Sequence, residues 1–286
     1  MKYALGILLF LLNLTGLEAH AEDLPDITTI PQDLTTPPMT EEKPAPGKRV
    51  RQVLRDYKGS AVYHAFYLPV DWEPGGKFPV IAEYAGNKWR TSAGTVEGSC
   101  LGYGISGGEG CIWICLPFVD AGQGINALTW WGDVEATVDY CKKAVAEVCA
   151  RYGGDASAVF LAGFSRGAIA CNYIGLHDDE IASMWCGFIC HSHYDGVKQW
   201  DYAGSDRTSA AKRLARLKNR PQFISHEISV GDTERYLAAA CPGGDFTFMT
   251  LPYGNHTDTW TLRGIPERKK VRKWFLDVLR NRPKSQ

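Results

Sequence analysis

What the chain lacks narrows the field first. It has almost no net charge: 31 Lys and Arg stand against 32 Asp and Glu, a formal charge of −1. That gives no basis for binding nucleic acid or an anionic membrane surface. Beyond the N-terminus no apolar run approaches the ~20 residues that a membrane-spanning helix needs. Paired CxxC spacings are missing, which removes the usual structural zinc cluster. No internal repeat is visible, so solenoids and propellers are out. No cysteine stands near Ala21, which excludes a lipid-anchored cysteine at that point.

The N-terminus reads as a targeting segment. Lys2, an apolar stretch from Leu5 to Leu17, and Ala19-His20-Ala21 have the order of a secretory signal peptide cleaved after Ala21. Residues 1–21 are therefore expected to be removed and the protein to be secreted or periplasmic, without stable membrane insertion. All nine cysteines lie beyond that point, in a compartment where disulfides form. Cys100 with Cys111 or Cys115 is the candidate loop staple. Cys141, Cys149, Cys171 and Cys186 fall in helix or strand patterns and read as small buried hydrophobes.

Residues 22–49 are rich in Pro, Thr and charge and are expected to form a flexible lead-in. Residues 50–286 suffice for a single α/β domain. Strand-like stretches are read at 61–70, 79–84, 111–118, 158–162, 184–190, 222–226 and 246–251. Helical ones are read at 134–152, from the elbow serine to about Gly175, and at 209–217, 234–240 and 271–280. In the 134–152 segment Val138, Cys141, Ala144, Val145 and Val148 share one face. This alternation predicts a mostly parallel sheet with helices on both faces. Ligands bind such a sheet at the carboxyl ends of its strands.

One stretch carries chemistry. Ala158 to Ala162 is apolar, Gly163-Phe164-Ser165-Arg166-Gly167 follows, and small residues suited to a helix come next. A serine between strand and helix sits on a tight turn that exposes its hydroxyl, and the flanking glycines let neighbouring backbone crowd in. Gly104-Ile105-Ser106-Gly107-Gly108 matches the same pattern but lies in the glycine-rich 98–110 run. Ser106 is read as loop and Ser165 as the nucleophile.

A serine hydroxyl needs an imidazole as base and a carboxylate to orient that imidazole. In chain order the acid and then the histidine should follow the serine. His256 follows the last strand and fills the final slot. Asp232, after the 222–226 strand, is the expected acid, with Glu234 and Glu227 as nearby competitors and Asp195 more distant. The oxyanion needs two preorganised N–H donors. One is assigned to the backbone of Arg166, the other to the turn Tyr84-Ala85-Gly86-Asn87, from Gly86 or Asn87.

The elbow, the acid slot and His256 resemble the α/β-hydrolase fold. Tyr152-Gly153-Gly154-Asp155 together with the elbow strand is similar to secreted esterases of the polyhydroxybutyrate depolymerase and feruloyl esterase type. The resemblance implies two-step acyl transfer from an ester, small or polymeric, without a cofactor. Family members usually carry His-Gly where this chain has Tyr84-Ala85-Gly86.

The connection after Cys190 is too short for a large lid, which suits a bulky polysaccharide-linked or phenolic ester. Tyr84, Trp89, Trp131, His191 and His193 are the expected pocket residues. Trp130 joins Trp89 and Trp131 as a possible stacking surface. Lys88, Arg90 and Arg166 could favour a carboxylate on the substrate. His191 and His193 have the spacing of metal ligands if extended, but no third ligand is assured, and pocket lining is the preferred reading. Two alternatives stand: a serine peptidase of the prolyl-oligopeptidase type, and a noncatalytic binding module on a hydrolase scaffold. Oligomeric state is not readable.

Overall fold

The computed structural model describes residues 24–90 and 92–282. Their elements run β1 Met39–Thr40, β2 Arg49–Gln52, β3 His64–Tyr67, β4 Phe78–Tyr84, α1 Leu101–Ser106, β5 Ile112–Leu116, β6 Val119–Asp120, β7 Ile125–Asn126, α2 Val134–Tyr152, β8 Gly154–Phe164, α3 Arg166–Tyr173, α4 Asp179–Ala182, β9 Gly187–His191, α5 Arg207–Leu214, β10 Gln222–Glu227, α6 Gly231–Ala240, β11 Phe246–Leu251 and α7 Pro266–Asn281. Nine strands form one sheet in the order β1-β2-β3-β5-β4-β8-β9-β10-β11. β3 runs antiparallel to both its neighbours, and the other pairings are parallel.

Side chains of a strand alternate between faces, and here each face has its own core. Val80, Ala82, Tyr84, Val159 and Leu161 pack on one side with α2, α3, α5 and α6. Ile81, Phe160, Ala162, Ile189 and Phe223 pack on the other with α1 and α7. The sheet is thus covered on both faces, and no cap domain interrupts the 192–206 connection. α2 has the bounds its periodicity predicts: Asp133 caps its first turn through Ala136 N at 2.9 Å, and Gly153 ends it at φ 75°.

Three expectations are corrected. The Pro- and Thr-rich segment does not hang free from residue 24 onward. Ile27 is buried and donates its N–H to Asn255 Oδ1 at 2.8 Å. Asp33 takes a two-pronged ion pair from Arg268 at 2.5 and 2.6 Å, and β1 joins the sheet. The partners of Ile27 and Asp33 lie more than 220 residues away in the chain, which local composition cannot reveal. Residues 1–21, with the expected signal peptide, lie outside the described residues.

The glycine-rich 98–110 run is not all loop, since Ser106 ends α1. A Cβ at Gly102 would lie 2.4 Å from the Trp113 ring, and one at Gly104 2.2 Å from Thr261 Oγ1. The glycines therefore serve close packing of a buried helix rather than looseness. Finally, all nine cysteines are free thiols. Cys100 sits against Asp258 and Cys115 lies inside β5, so the expected Cys100 staple does not form.

His64 on β3 is enclosed, with Nδ1 2.9 Å from the Tyr140 hydroxyl, and burial pushes its pKa down to about 3. The unfolded chain binds this proton near pH 6.5, so stability present above pH 6.5 is lost as pH falls. Melting temperatures of wild type and His64→Phe are therefore expected to shift in favour of the variant between pH 6.5 and 4. A pH-independent difference would contradict this.

Candidate active site

β8 delivers Phe164 at its last position and α3 begins at Arg166, so Ser165 must turn the chain in one residue. It does so at φ 55°, ψ −115°, a conformation that costs a non-glycine residue of order 1–3 kcal/mol. The glycines on either side explain how the turn closes. A Cβ at Gly163 would lie 2.1 Å from the Gly167 carbonyl carbon, and one at Gly167 only 1.9 Å from the Tyr84 carbonyl oxygen. Ser165 N–H is tied to His191 O at 2.8 Å.

The Ser165 hydroxyl meets His256 Nε2 at 3.0 Å, and His256 Nδ1 lies 2.6 Å from Glu227 Oε1. A carboxylate only accepts, so Nδ1 carries the proton and Nε2 is left to accept from Ser165. The carboxylate at His256 belongs to Glu227, not to Asp232. Asp232 lies in the first turn of α6, is largely exposed, and pairs with Arg235. Glu227 is the last residue of β10, whose backbone pairing brings it to the carboxyl edge of the sheet beside the His256 loop. The strand runs one residue beyond its expected end, and that residue holds the carboxylate. Glu234 also lies on α6 and faces solvent, while Asp195 is taken by Arg213 at 2.8 and 3.0 Å.

Glu227 is buried and fully engaged. Its Oε2 accepts from Ser192 Oγ at 2.5 Å and lies 3.6 Å from His226 Nδ1. Burial alone would raise its pKa, but the His256 hydrogen bond and the imidazoles of His191 and His226 outweigh it. The carboxyl is held well below the usual range. Ser229 N–H closes a three-residue turn on Glu227 O at 2.7 Å, with Ile228 at φ 65°. Ser165, Ser192 and Ile228 are three of the six non-glycine residues with positive φ among the described residues, so backbone strain is concentrated around this chain of side chains.

Arg166 N–H starts α3 and has no carbonyl four residues back to bind. The opposite turn comes close: a Cβ at Gly86 would stand 3.3 Å from Ser165 Cβ. Asn87 Oδ1 accepts from Trp130 N at 2.8 Å and Lys88 N donates to Leu128 O at 2.8 Å. This straps the turn to the 127–131 loop. The Arg166 side chain does not face substrate. Its guanidinium is buried and donates to Trp130 O at 2.6 Å, Gly86 O at 2.8 Å, Ala127 O and Gly94 O at 3.3 Å, and Ala85 O at 3.4 Å. The expectation that it greets a substrate carboxylate is corrected, because all its donors are spent inward.

The expected pocket residues separate. Tyr84 and Trp131 belong to the core, Tyr84 stacked on Phe118 and Trp131 on Tyr173. Trp89 is 64% exposed on the surface loop after Gly86. His191 is enclosed: Nε2–H donates to Thr257 O at 3.1 Å, so Nδ1 accepts from Ser225 Oγ at 3.0 Å. It steadies the loop of His256 instead of lining a pocket. His193 lines a cavity of about 180 Å³, shared with Trp200, Lys198 and His226. Ser192 at φ 79° breaks the extended geometry that would have aligned His191 with His193. Among the described residues no cluster of three or more His, Cys, Asp or Glu is placed to hold a metal ion, and no helix is long and apolar enough to cross a membrane.

No family model and no curated protein matches the sequence. Solved structures do share its fold. Thermogutta terrifontis esterase 2, phosphorylated by paraoxon, is 19% identical over 82% of this chain and 95% of its own, with a TM-score of 0.55. The feruloyl esterase module from Clostridium thermocellum, complexed with sinapinate, is 14% identical over 83% and 94%, with a TM-score of 0.51. The AtxE2 isopeptidase with astexin bound is 12% identical over 82% of this chain but 40% of that one, with a TM-score of 0.55. The chain also spans 62% of a similar thermostable esterase. With its sheet order, these likenesses establish the α/β-hydrolase fold.

Proposed function

We propose that the protein is a serine carboxylic-ester hydrolase working through Ser165, His256 and Glu227 and a covalent acyl-enzyme. The observation that carries this reading is the unbroken hydrogen-bond chain from the Ser165 hydroxyl through His256 to Glu227 on a strained strand-to-helix turn. Ser165 Oγ attacks the ester carbonyl while His256 Nε2 takes its proton. The tetrahedral oxyanion draws on the N–H of Arg166 and one from Gly86 or Asn87, each such donor being worth about 10²–10³ in kcat. His256 then passes its proton to the leaving alcohol as the C–O bond breaks. Water, deprotonated by the same imidazole, releases the acid and restores Ser165.

The short 192–206 connection, which carries no cap domain, supports esters carried on a polysaccharide or a phenolic acid, and the N-terminal sequence supports action outside the cytoplasm. Likeness to an isopeptidase favours a second reading, amide cleavage by the same residues. Phenyl acetate and a peptide p-nitroanilide separate the two. Wild type and Ser106→Ala are expected to hydrolyse the ester, and Ser165→Ala to lose it. Cleavage of the anilide alone would favour the peptidase, and ester turnover surviving in Ser165→Ala would end both.

A further inference from the structure

We propose that the cavity beside His256 receives a hydroxylated alcohol portion of the ester, a sugar or similar polyol, and that His193 recognises its hydroxyl. The inference rests on the esterase reading and adds the class of alcohol. The cavity opens at the carboxyl ends of β9 and β10 and is lined by His193, Trp200, His226, Ser229, Lys198 and Asp232, among others. The His193 ring lies 5.4 Å from that of His256, 5.9 Å from that of His226 and 5.3 Å from Trp200. His256 must hand its proton to the leaving oxygen, and the cavity-lining His193 ring stands 5.4 Å from the His256 ring, so an alcohol leaving from His256 has this cavity as its neighbour.

His193 determines the chemistry of the occupant. Burial and the neighbouring imidazoles of His256 and His226 push its pKa down to about 4, which leaves the ring neutral at working pH. A neutral imidazole has one donor and one acceptor. His191, His226 and His256 each bond a protein group, while among the described residues His193 bonds none. A hydroxyl matches it, since it donates and accepts at once. A carboxylate would bring negative charge toward Glu227 and Asp232 with Lys198 as the cavity's one lining cation, and Lys198 already sits over the Trp200 ring at 4.3 Å. A hydrocarbon would seal two ring nitrogens without partners. Ser229, Thr233 and Asp232 on the wall offer further partners for a ring bearing several hydroxyls.

The test holds the acyl group constant and varies the alcohol. Methyl 6-O-acetyl-glucopyranoside is compared with (6-methoxytetrahydropyran-2-yl)methyl acetate, the same skeleton stripped of hydroxyls, and phenyl acetate reports the chemistry itself. The sugar ester is expected to exceed its stripped counterpart about tenfold or more in kcat/KM. His193→Phe should collapse that ratio, and His193→Asn, which keeps a donor and an acceptor, should retain part of it. Equal wild-type values for the two esters, or a preference untouched in a folded His193→Phe, would overturn the proposal while phenyl acetate turnover leaves the esterase reading intact. Phenyl acetate turnover that is missing, or independent of Ser165, would overturn the esterase reading and this inference with it.

Discussion

Glu227→Gln is expected to lower kcat for an aryl ester ~10⁴-fold with little change in KM, and Asp232→Asn to leave kcat within a few-fold of wild type. The amide presents N–H where the carboxylate accepted, so His256 Nδ1 turns from donor to acceptor and its proton moves to Nε2. Nε2 then cannot take the Ser165 proton at 3.0 Å. Nor can the neutral side chain stabilise the imidazolium formed in each half-reaction. Asp232, in the first turn of α6, pairs with Arg235 and lines the neighbouring cavity, but it makes no hydrogen bond to His256, whose Nδ1 is taken by Glu227. Steady-state kinetics of the two variants decide between the carboxylates. A large loss in Asp232→Asn with an active Glu227→Gln would refute the geometry.

Arg166→Met should cost on the order of 3–5 kcal/mol of stability, a fall in melting temperature of roughly 10 °C or more for a chain this long. The thioether fills volume but leaves carbonyls of three segments, around Ala85–Gly86, Gly94 and Ala127–Trp130, without their shared donor. Arg166→Lys should rescue little, because one ammonium cannot reproduce a planar fork with five N–H groups. Catalysis should suffer in the surviving fold as well. The same guanidinium holds Gly86 against Ser165, and displacing an oxyanion donor by about 1 Å costs roughly 10² in rate. A variant with wild-type melting and kcat would show that the turn is held by Asn87 and Lys88 alone.

The elbow was legible because its constraints are local. A strand, two crowded glycines and a helix start fall within a few residues, and the periodicity of α2 likewise sits within one element. His256 was legible from chain order. The carboxylate that bonds it was not, because Asp232 and Glu227 both follow the same strand reading, and the choice turns on where β10 ends. A stricter use of the rule that ligands meet strands at their carboxyl ends would have favoured Glu227, the strand's own last residue. Arg166, Tyr84 and Trp131 were misjudged for a different reason. Adjacency to Ser165, a place at the start of the 84–87 turn, or aromatic character does not say whether a side chain points outward or into the core. The docking of residues 24–49 depends on Asn255, Arg263 and Arg268, partners no local window contains.

The central claim is that Ser165 is made nucleophilic by His256 and Glu227. It is tested most directly by incubating the protein with a fluorophosphonate and locating the adduct by peptide mass spectrometry. The account predicts one stoichiometric phosphonyl group on Ser165, absent in Ser165→Ala and formed far more slowly in Glu227→Gln. A wild type left unlabelled, or labelled on Ser106 instead, would contradict it.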